Sequence, residues 1–190
     1  MNYLIMTSEQ EIENEISIIH RLFEEGLSVL HIRKPHLSQS SYATFISKID
    51  SQFHRQLMIH SHHQLQNQFD LRGLHFPAAQ HDFIIKEKKP SFIISTSFHS
   101  VNEIIEAQDL PIDYAFLSPI FNSISKLGYT GQNFNISSLA TIFPIVALGG
   151  IDIQNSKQLT SLGFDRAALL GYIWRNENPV EAFKKIKNGA

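Results

Sequence analysis

Apolar positions along the chain alternate between two spacings. Short continuous runs of four or five residues are separated by stretches in which apolar residues recur every three or four positions. Tyr3–Met6 is the first continuous run. Ser8-Glu9-Gln10-Glu11 follows and fits an S-x-x-E capping box, after which Ile12, Ile16, Ile19 and Phe23 recur at helical spacing and Gly26 suits the stop. Ser28–Ile32 is the second run, followed by a helix with Tyr42, Phe45, Ile46 and Ile49 on one face. Leu57–His60 and Gly73–Phe76 are the third and fourth, with little room for a helix between them. Phe92–Ser95 is the fifth, and a second capping box, Ser100-Val101-Asn102-Glu103, comes after it. Tyr114–Leu117, Pro144–Leu148 and Ala167–Leu170 complete the set. Ile153 to Leu162 reads as helical with Gly163 as its stop, and Asn178-Pro179 opens a last helix as cap and first-turn proline.

Continuous apolar runs mark strands buried on both faces, which belong to parallel sheets. Eight of them separated by helices predict an α/β fold, a single (β/α)8 TIM barrel over residues 1–190, slightly shortened between the third and fourth strands. An open doubly wound sheet is the alternative, but no G-x-G-x-x-G follows the first strand.

Composition narrows the function. The formal net charge of -2 provides no basic footprint for nucleic acid, and the absence of cysteine excludes disulfides and thiolate metal sites. No segment has the roughly 20 apolar residues of a membrane span, and the start of the chain lacks the pattern of a signal peptide. A cytoplasmic protein acting on a small molecule is expected, with homo-oligomerisation left open.

In a TIM barrel the chemistry sits in the loops after the strands. Gly149 and Gly150 follow the seventh strand and Gly171 the eighth, the two positions where this fold commonly binds phosphate. The loop after the sixth strand is long and carries Ser123, Ser125 and Lys126, donors suited to phosphate oxygens. His31 and Arg33 lie on one side of the second strand, and an arginine in a barrel mouth needs an anion. With few carboxylates at the strand ends, a ligand is the expected partner. His60, His75 and His99 stand at or near three further strand ends, candidates with His31 for proton transfer. His60-Ser61-His62 also fits a two-imidazole metal site, but without a carboxylate third ligand.

Taken in order, these strand ends resemble the thiamine-phosphate synthase and thiazole tautomerase (TenI) family. His31-Ile32-Arg33 is similar to its Q-x-R, Ile59-His60-Ser61 to I-N-D, and Gly73-Leu74-His75-Phe76 to G-V-H-L. Ser97-Phe98-His99-Ser100 is similar to S-x-H-[ST], and Ala147-Leu148-Gly149-Gly150-Ile151 to A-I-G-G-I. Asp113-Tyr114 with Pro119-Ile120-Phe121-Asn122-Ser123-Ile124-Ser125-Lys126 is similar to D-Y…G-P-I-F-x-T-x-T-K.

The resemblance implies a synthase that joins a pyrimidine pyrophosphate to thiazole phosphate with Mg2+ on the pyrophosphate. Ser123, Ser125, Gly149, Gly150 and Gly171 would surround the thiazole phosphate, with Ser97 also at the substrate. Arg33 and Lys126 would face the pyrophosphate, and His31, His60 and His99 would be the candidate catalytic histidines. Three departures bear on this. The family's lysine two residues after the arginine is Pro35 here, its aspartate after Asn is Ser61, and its G-Q-x-D reads Pro77-Ala78-Ala79-Gln80. Asp82, two residues on, is the one candidate for a replacement metal ligand. Loss of these groups favours two alternatives, a TenI-like tautomerase needing no metal and a non-catalytic binder of thiazole or thiamine phosphate. Yet the tautomerases' histidine after the sixth strand is Pro119 here. An unrelated phosphate-binding isomerase on the same fold would share the glycines and nothing else.

Overall fold

The computed structural model describes residues 1–87, 92–122, 130–132 and 134–189. The described elements are β1 (Asn2–Met6), α1 (Glu15–Glu24), β2 (Leu30–Ile32), α2 (Gln39–Ser47), β3 (Leu57–Ile59), β4 (Gly73–Phe76), α3 (His81–Glu87), β5 (Ile93–Phe98), α4 (Val101–Glu106), β6 (Tyr114–Leu117), β7 (Ile145–Leu148), α5 (Gln158–Ser161), β8 (Arg166–Leu169), α6 (Gly171–Trp174) and α7 (Pro179–Gly189). All eight strands are parallel, each pairs with the next, and β8 closes on β1 through Asn2–Arg166 to Ile5–Leu169. Among the described residues no helix is long and apolar enough to cross a membrane.

The period of two along each strand divides the core in two. Tyr3, Ile5, Leu30, Ile32, Leu57, Ile59, Leu74 and Phe76 point outward and pack with Ile19, Leu22, Tyr42 and Ile46 of α1 and α2. Leu4, Met6, Val29, Met58, Tyr114, Phe116, Val146 and Ala168 form a separate cluster that fills the barrel interior. In the same alternation His31 falls between Leu30 and Ile32, and His75 between Leu74 and Phe76, so both imidazoles enter the interior, where they are buried. One sector of the lumen is therefore polar.

Three local expectations are corrected. Ser8 caps no helix: its hydroxyl accepts from the Gln10 amide at 3.1 Å, and α1 begins only at Glu15, after Asn14 in a left-handed conformation. The hydroxyl is consumed by a local turn, a competitor to the cap for any serine. The helix expected over residues 153–162 is a single turn, Gln158–Ser161, because the Asp152 carboxylate bonds the Gln154 and Asn155 amides and holds the preceding stretch in turns. β5 runs three residues further than expected, to Phe98, carrying Thr96 and Ser97 with it. Ser100 caps α4, its hydroxyl accepting from the Glu103 amide at 3.2 Å, while the Glu103 carboxylate accepts at 2.7 Å from the N–H of His99, one residue before the cap. Asn178 caps α7 through the Glu181 amide. Only a short 3-10 turn, His63–Asn67, joins β3 to β4, where the shortening is expected.

Candidate active site

A cavity of about 430 Å³ opens at the C-terminal ends of the strands. Its rim carries Arg33 and Lys34 from the segment after β2, Gly149 and Gly150 from the turn after β7 and Gly171 at the start of α6, and its walls include Ser97, His99, Met6, Leu148 and Leu170. His60 and His75 reach it from below.

Gly149 and Gly150 have φ of +101° and +68°. A β-carbon on Gly150 would lie 2.2 Å from the Asn122 carbonyl oxygen, and one on Gly149 would lie 3.0 Å from Pro119 Cα. The two residues therefore need glycine for conformation and for close approach of the β6 loop. With no side chains, they leave peptide groups as the cavity surface there.

Arg33 and Lys34 each meet a carboxylate from the segment between β1 and α1. Arg33 Nη1 pairs with Glu9, both side chains about a third exposed. The expectation that few carboxylates reach this end is corrected: turns after β1, rather than a helix, bring Glu9 to the arginine. Lys34 Nζ donates to Glu15 Oε2 at 2.7 Å and to the Gln10 carbonyl at 3.0 Å, and this pair is buried. Burial raises the Glu15 pKa, against the lowering effect of the Lys34 hydrogen bond and charge. Sequence reasoning passed over Lys34, because alternation along β2 assigns residue 34 to the outer face. The strand ends at Ile32, and beyond it the alternation no longer holds.

The polar sector of the lumen forms the cavity floor. His31 Nδ1 lies 3.0 Å from His60 Nε2, and His31 Nε2 lies 2.6 Å from the Tyr114 hydroxyl. The His60 and His75 rings stack with centroids 4.0 Å apart. His75 Nδ1 lies 3.0 Å from Ser95 Oγ and its Nε2 lies 3.2 Å from Ser97 Oγ. Burial, helped by the neighbouring imidazoles and arginines, holds all three far below the ordinary histidine pKa, with His75 lowered to about 3. At neutral pH the three are uncharged, each able to offer a lone pair. His99 donates from Nδ1 to the Ser118 carbonyl at 3.1 Å and faces the cavity as a separate imidazole.

The structure thus gathers Arg33, His60, Ser97, His99, Gly149, Gly150 and Gly171 around one cavity, with His31 beneath them. His62 is excluded. It is left-handed at φ 53°, and its ring donates from Nε2 to the Leu37 carbonyl, so it does not turn inward beside His60. Asp82 is exposed on the first turn of α3 and is not part of the cavity lining. Ser123, Ser125 and Lys126 lie outside the described residues.

Comparison with known proteins gives a consistent result. The profile of the TMP-TENI family, thiamine monophosphate synthase, matches residues 2–173. The thiamine-phosphate synthase of Vibrio campbellii is 27% identical over 190 residues, covering 95% of this chain and 93% of its own. The crystal structure of thiamine phosphate pyrophosphorylase from Bacteroides thetaiotaomicron superposes with a TM-score of 0.75 at 29% identity, covering 99% of this chain and 96% of that one. The thiamine phosphate pyrophosphorylase of Pyrococcus furiosus shares the fold, with a TM-score of 0.82 at 17% identity over 98% of this chain and 94% of its own.

Proposed function

The chain belongs to the thiamine monophosphate synthase family, and from that premise we propose that it is a thiamine-phosphate-synthase-like transferase of thiamine biosynthesis. The observation that carries the reading is the pairing, in one cavity, of a two-glycine turn after β7 with two cations after β2. A substrate phosphate rests on peptide groups of Gly149, Gly150 and Gly171, with Ser123 and Ser125 as further donors. Arg33, by exchanging Glu9 for the ligand, and Lys126 are the candidate partners of the second substrate's pyrophosphate, while Lys34 stays paired with the buried Glu15. Transfer breaks the bond between the pyrimidine methylene carbon and the pyrophosphate oxygen. The oxygen keeps the electron pair, and the thiazole nitrogen lone pair forms the new C–N bond. Charge grows on the leaving pyrophosphate, so a fixed guanidinium there stabilises the transition state more than the ground state. His60 and Ser97 on the cavity lining offer hydrogen bonds to a nitrogen heterocycle, while Met6, Leu148 and Leu170 exclude water from the reacting carbon.

Mg2+ on the pyrophosphate is what the family implies. That ion takes oxygen ligands, with one or two carboxylates beside the phosphates. Among the described residues no aspartate or glutamate lines the cavity, Glu9 and Glu15 are held in ion pairs, and Asp82 stands outside it. The donor set does not fit Mg2+, and no step here depends on it. Neutralisation of the leaving group falls to the cationic side chains.

The test is the coupling reaction itself. Purified protein with pyrimidine pyrophosphate and thiazole phosphate is expected to form thiamine phosphate, and Arg33→Gln to lower kcat/KM by about 100-fold or more. Absence of product, from protein whose melting temperature rises with thiazole phosphate, overturns the transferase reading. The imidazoles gathered at the cavity favour one second reading, a TenI-like tautomerase in which His31, His60 or His99 moves a proton on thiazole phosphate.

A further inference from the structure

We propose that His31, His60 and His75 form a binding site for one divalent transition-metal ion of the zinc class on the cavity floor. The proposal does not rest on the transferase reading, and a bound ion would replace His60 as a hydrogen-bond partner of that reading's heterocycle. It takes up neighbouring strands: His31 comes from β2, His60 from the first position after β3, and His75 from β4. One nitrogen from each of the three lies within 4.8 Å of the others. Two tetrahedral ligands at the roughly 2.0–2.1 Å of a zinc–nitrogen bond stand about 3.3–3.4 Å apart. His31 Nδ1 and His60 Nε2 are 3.0 Å apart, so an ion between them asks the pair to open by a few tenths of an ångström. The third imidazole, stacked on His60 with ring centres 4.0 Å apart, must turn out of that stack for its lone pair to point at the ion.

The outer atoms suit the same role. A ligating histidine usually directs its other ring nitrogen to a hydrogen-bonding partner that fixes ring and tautomer. His31 Nε2 has the Tyr114 hydroxyl at 2.6 Å, and His75 Nδ1 has Ser95 Oγ at 3.0 Å. With protons on those atoms, His31 Nδ1 keeps a lone pair towards His60, and His75 Nε2 keeps one that Ser97 Oγ, 3.2 Å away, occupies until an ion displaces it. Three imidazoles also cost more to bury than apolar side chains in a lumen otherwise filled by Met58, Phe116 and Val146. An ion accepting all three lone pairs gives that cost a purpose.

The ligands lie on one side and the cavity on the other, leaving a fourth position open, as in catalytic rather than structural zinc sites. Imidazole donors select zinc, cobalt, nickel or copper over Mg2+, which prefers oxygen. Arg33 and Arg72 contribute positive charge at the cluster. They oppose a bare dication, so the fourth ligand is expected to be an anion. A bound ion would take the lone pairs that the tautomerase reading needs for proton transfer.

The experiment is a titration of the chelator-treated full chain with Zn2+ by calorimetry and with Co2+ by visible absorption. The expected result is one ion per chain, a tetrahedral cobalt spectrum, and displacement of Co2+ by Zn2+ but not by Mg2+. His60→Ala, at the cavity-facing edge, should weaken binding by at least about 100-fold, and Tyr114→Phe by about 10- to 100-fold. His36→Ala, on the exposed surface, should leave it unchanged. If His60→Ala fails to fold, the cobalt spectrum and a zinc-induced rise in the wild-type melting temperature carry the decision. No saturable binding by wild type, or wild-type affinity retained by folded His60→Ala, overturns the proposal.

Discussion

Alanine at Gly150 separates a glycine that shapes the chain from one that also holds a ligand. At φ +68° an alanine is in the left-handed region, which costs about 1–2 kcal/mol. Its β-carbon would stand 2.2 Å from the Asn122 oxygen and 2.7 Å from the Phe121 carbonyl carbon, both backbone atoms. Real β-carbons essentially never approach within 3.0 Å, so the β6 loop must retreat by the difference, 3.0 minus 2.2, or about 0.8 Å. Such overpacking costs a further 1–3 kcal/mol or so. The sum, about 2–5 kcal/mol, corresponds to a melting temperature lower by roughly 5–15 °C in a chain of this size. Gly163→Ala is the matched control: φ is +92° and the new β-carbon would meet Ser137 N at 2.5 Å, but the residue is not in the cavity lining. Thermal denaturation should therefore report similar losses for both. Calorimetric titration with thiazole phosphate, at a temperature where both variants are folded, should find affinity reduced at least 10-fold in Gly150→Ala and unchanged in Gly163→Ala. Equal affinity in the two variants would refute the assignment of the β7 turn to phosphate.

Three further outcomes follow from the ion pairs and imidazoles. Glu15→Gln strands the buried Lys34 ammonium and should cost about 3–5 kcal/mol in urea unfolding, whereas Glu15→Leu with Lys34→Met should recover most of it. Glu9→Gln removes a pair that is about a third exposed, so stability should change by less than about 1 kcal/mol, while the freed Arg33 should lower the KM for the pyrophosphate substrate. His31, His60 and His75 have depressed pKa values, so the unfolded chain binds protons that the folded chain refuses. Stability should be complete above the unfolded value of roughly 6.5 and fall as pH drops towards about 3, where His75 titrates. Urea unfolding over that window should show a decline that His75→Gln makes shallower; identical slopes would contradict the burial of an uncharged His75.

Most of the barrel was legible in the chain because its signals are local. A continuous apolar run such as Tyr114–Leu117 identifies a buried strand whatever its neighbours do. Ser100 and Asn178 cap helices by bonding amides three residues ahead, and the sequence contains both partners. The glycines at β7 and β8 were legible for the same reason, since a strand end followed by Gly149-Gly150 already restricts the backbone. What was not legible depends on partners distant in sequence. Lys34 meets Glu15 across a segment after β1 that runs in turns, where Ser8 bonds the Gln10 amide instead of capping a helix. The His31–His60–His75 cluster needs the register of three strands, and single-strand alternation could nominate its members but not their 3.0 Å and 4.0 Å spacings. His62 shows the converse, as a left-handed residue just past a strand end breaks the alternation that paired it with His60.

On the proposed transferase reading, the cavity recognises its ligand by a phosphate held on the β7 and β8 turns. The most direct test is a pair of calorimetric titrations of the wild-type chain, one with thiazole phosphate and one with the same thiazole as its free alcohol. A phosphate held on these turns should make the ester bind at least about 100-fold more tightly, a difference of roughly 3 kcal/mol, and Gly150→Ala should remove most of that advantage. Equal affinities for ester and alcohol in the wild-type protein would contradict it.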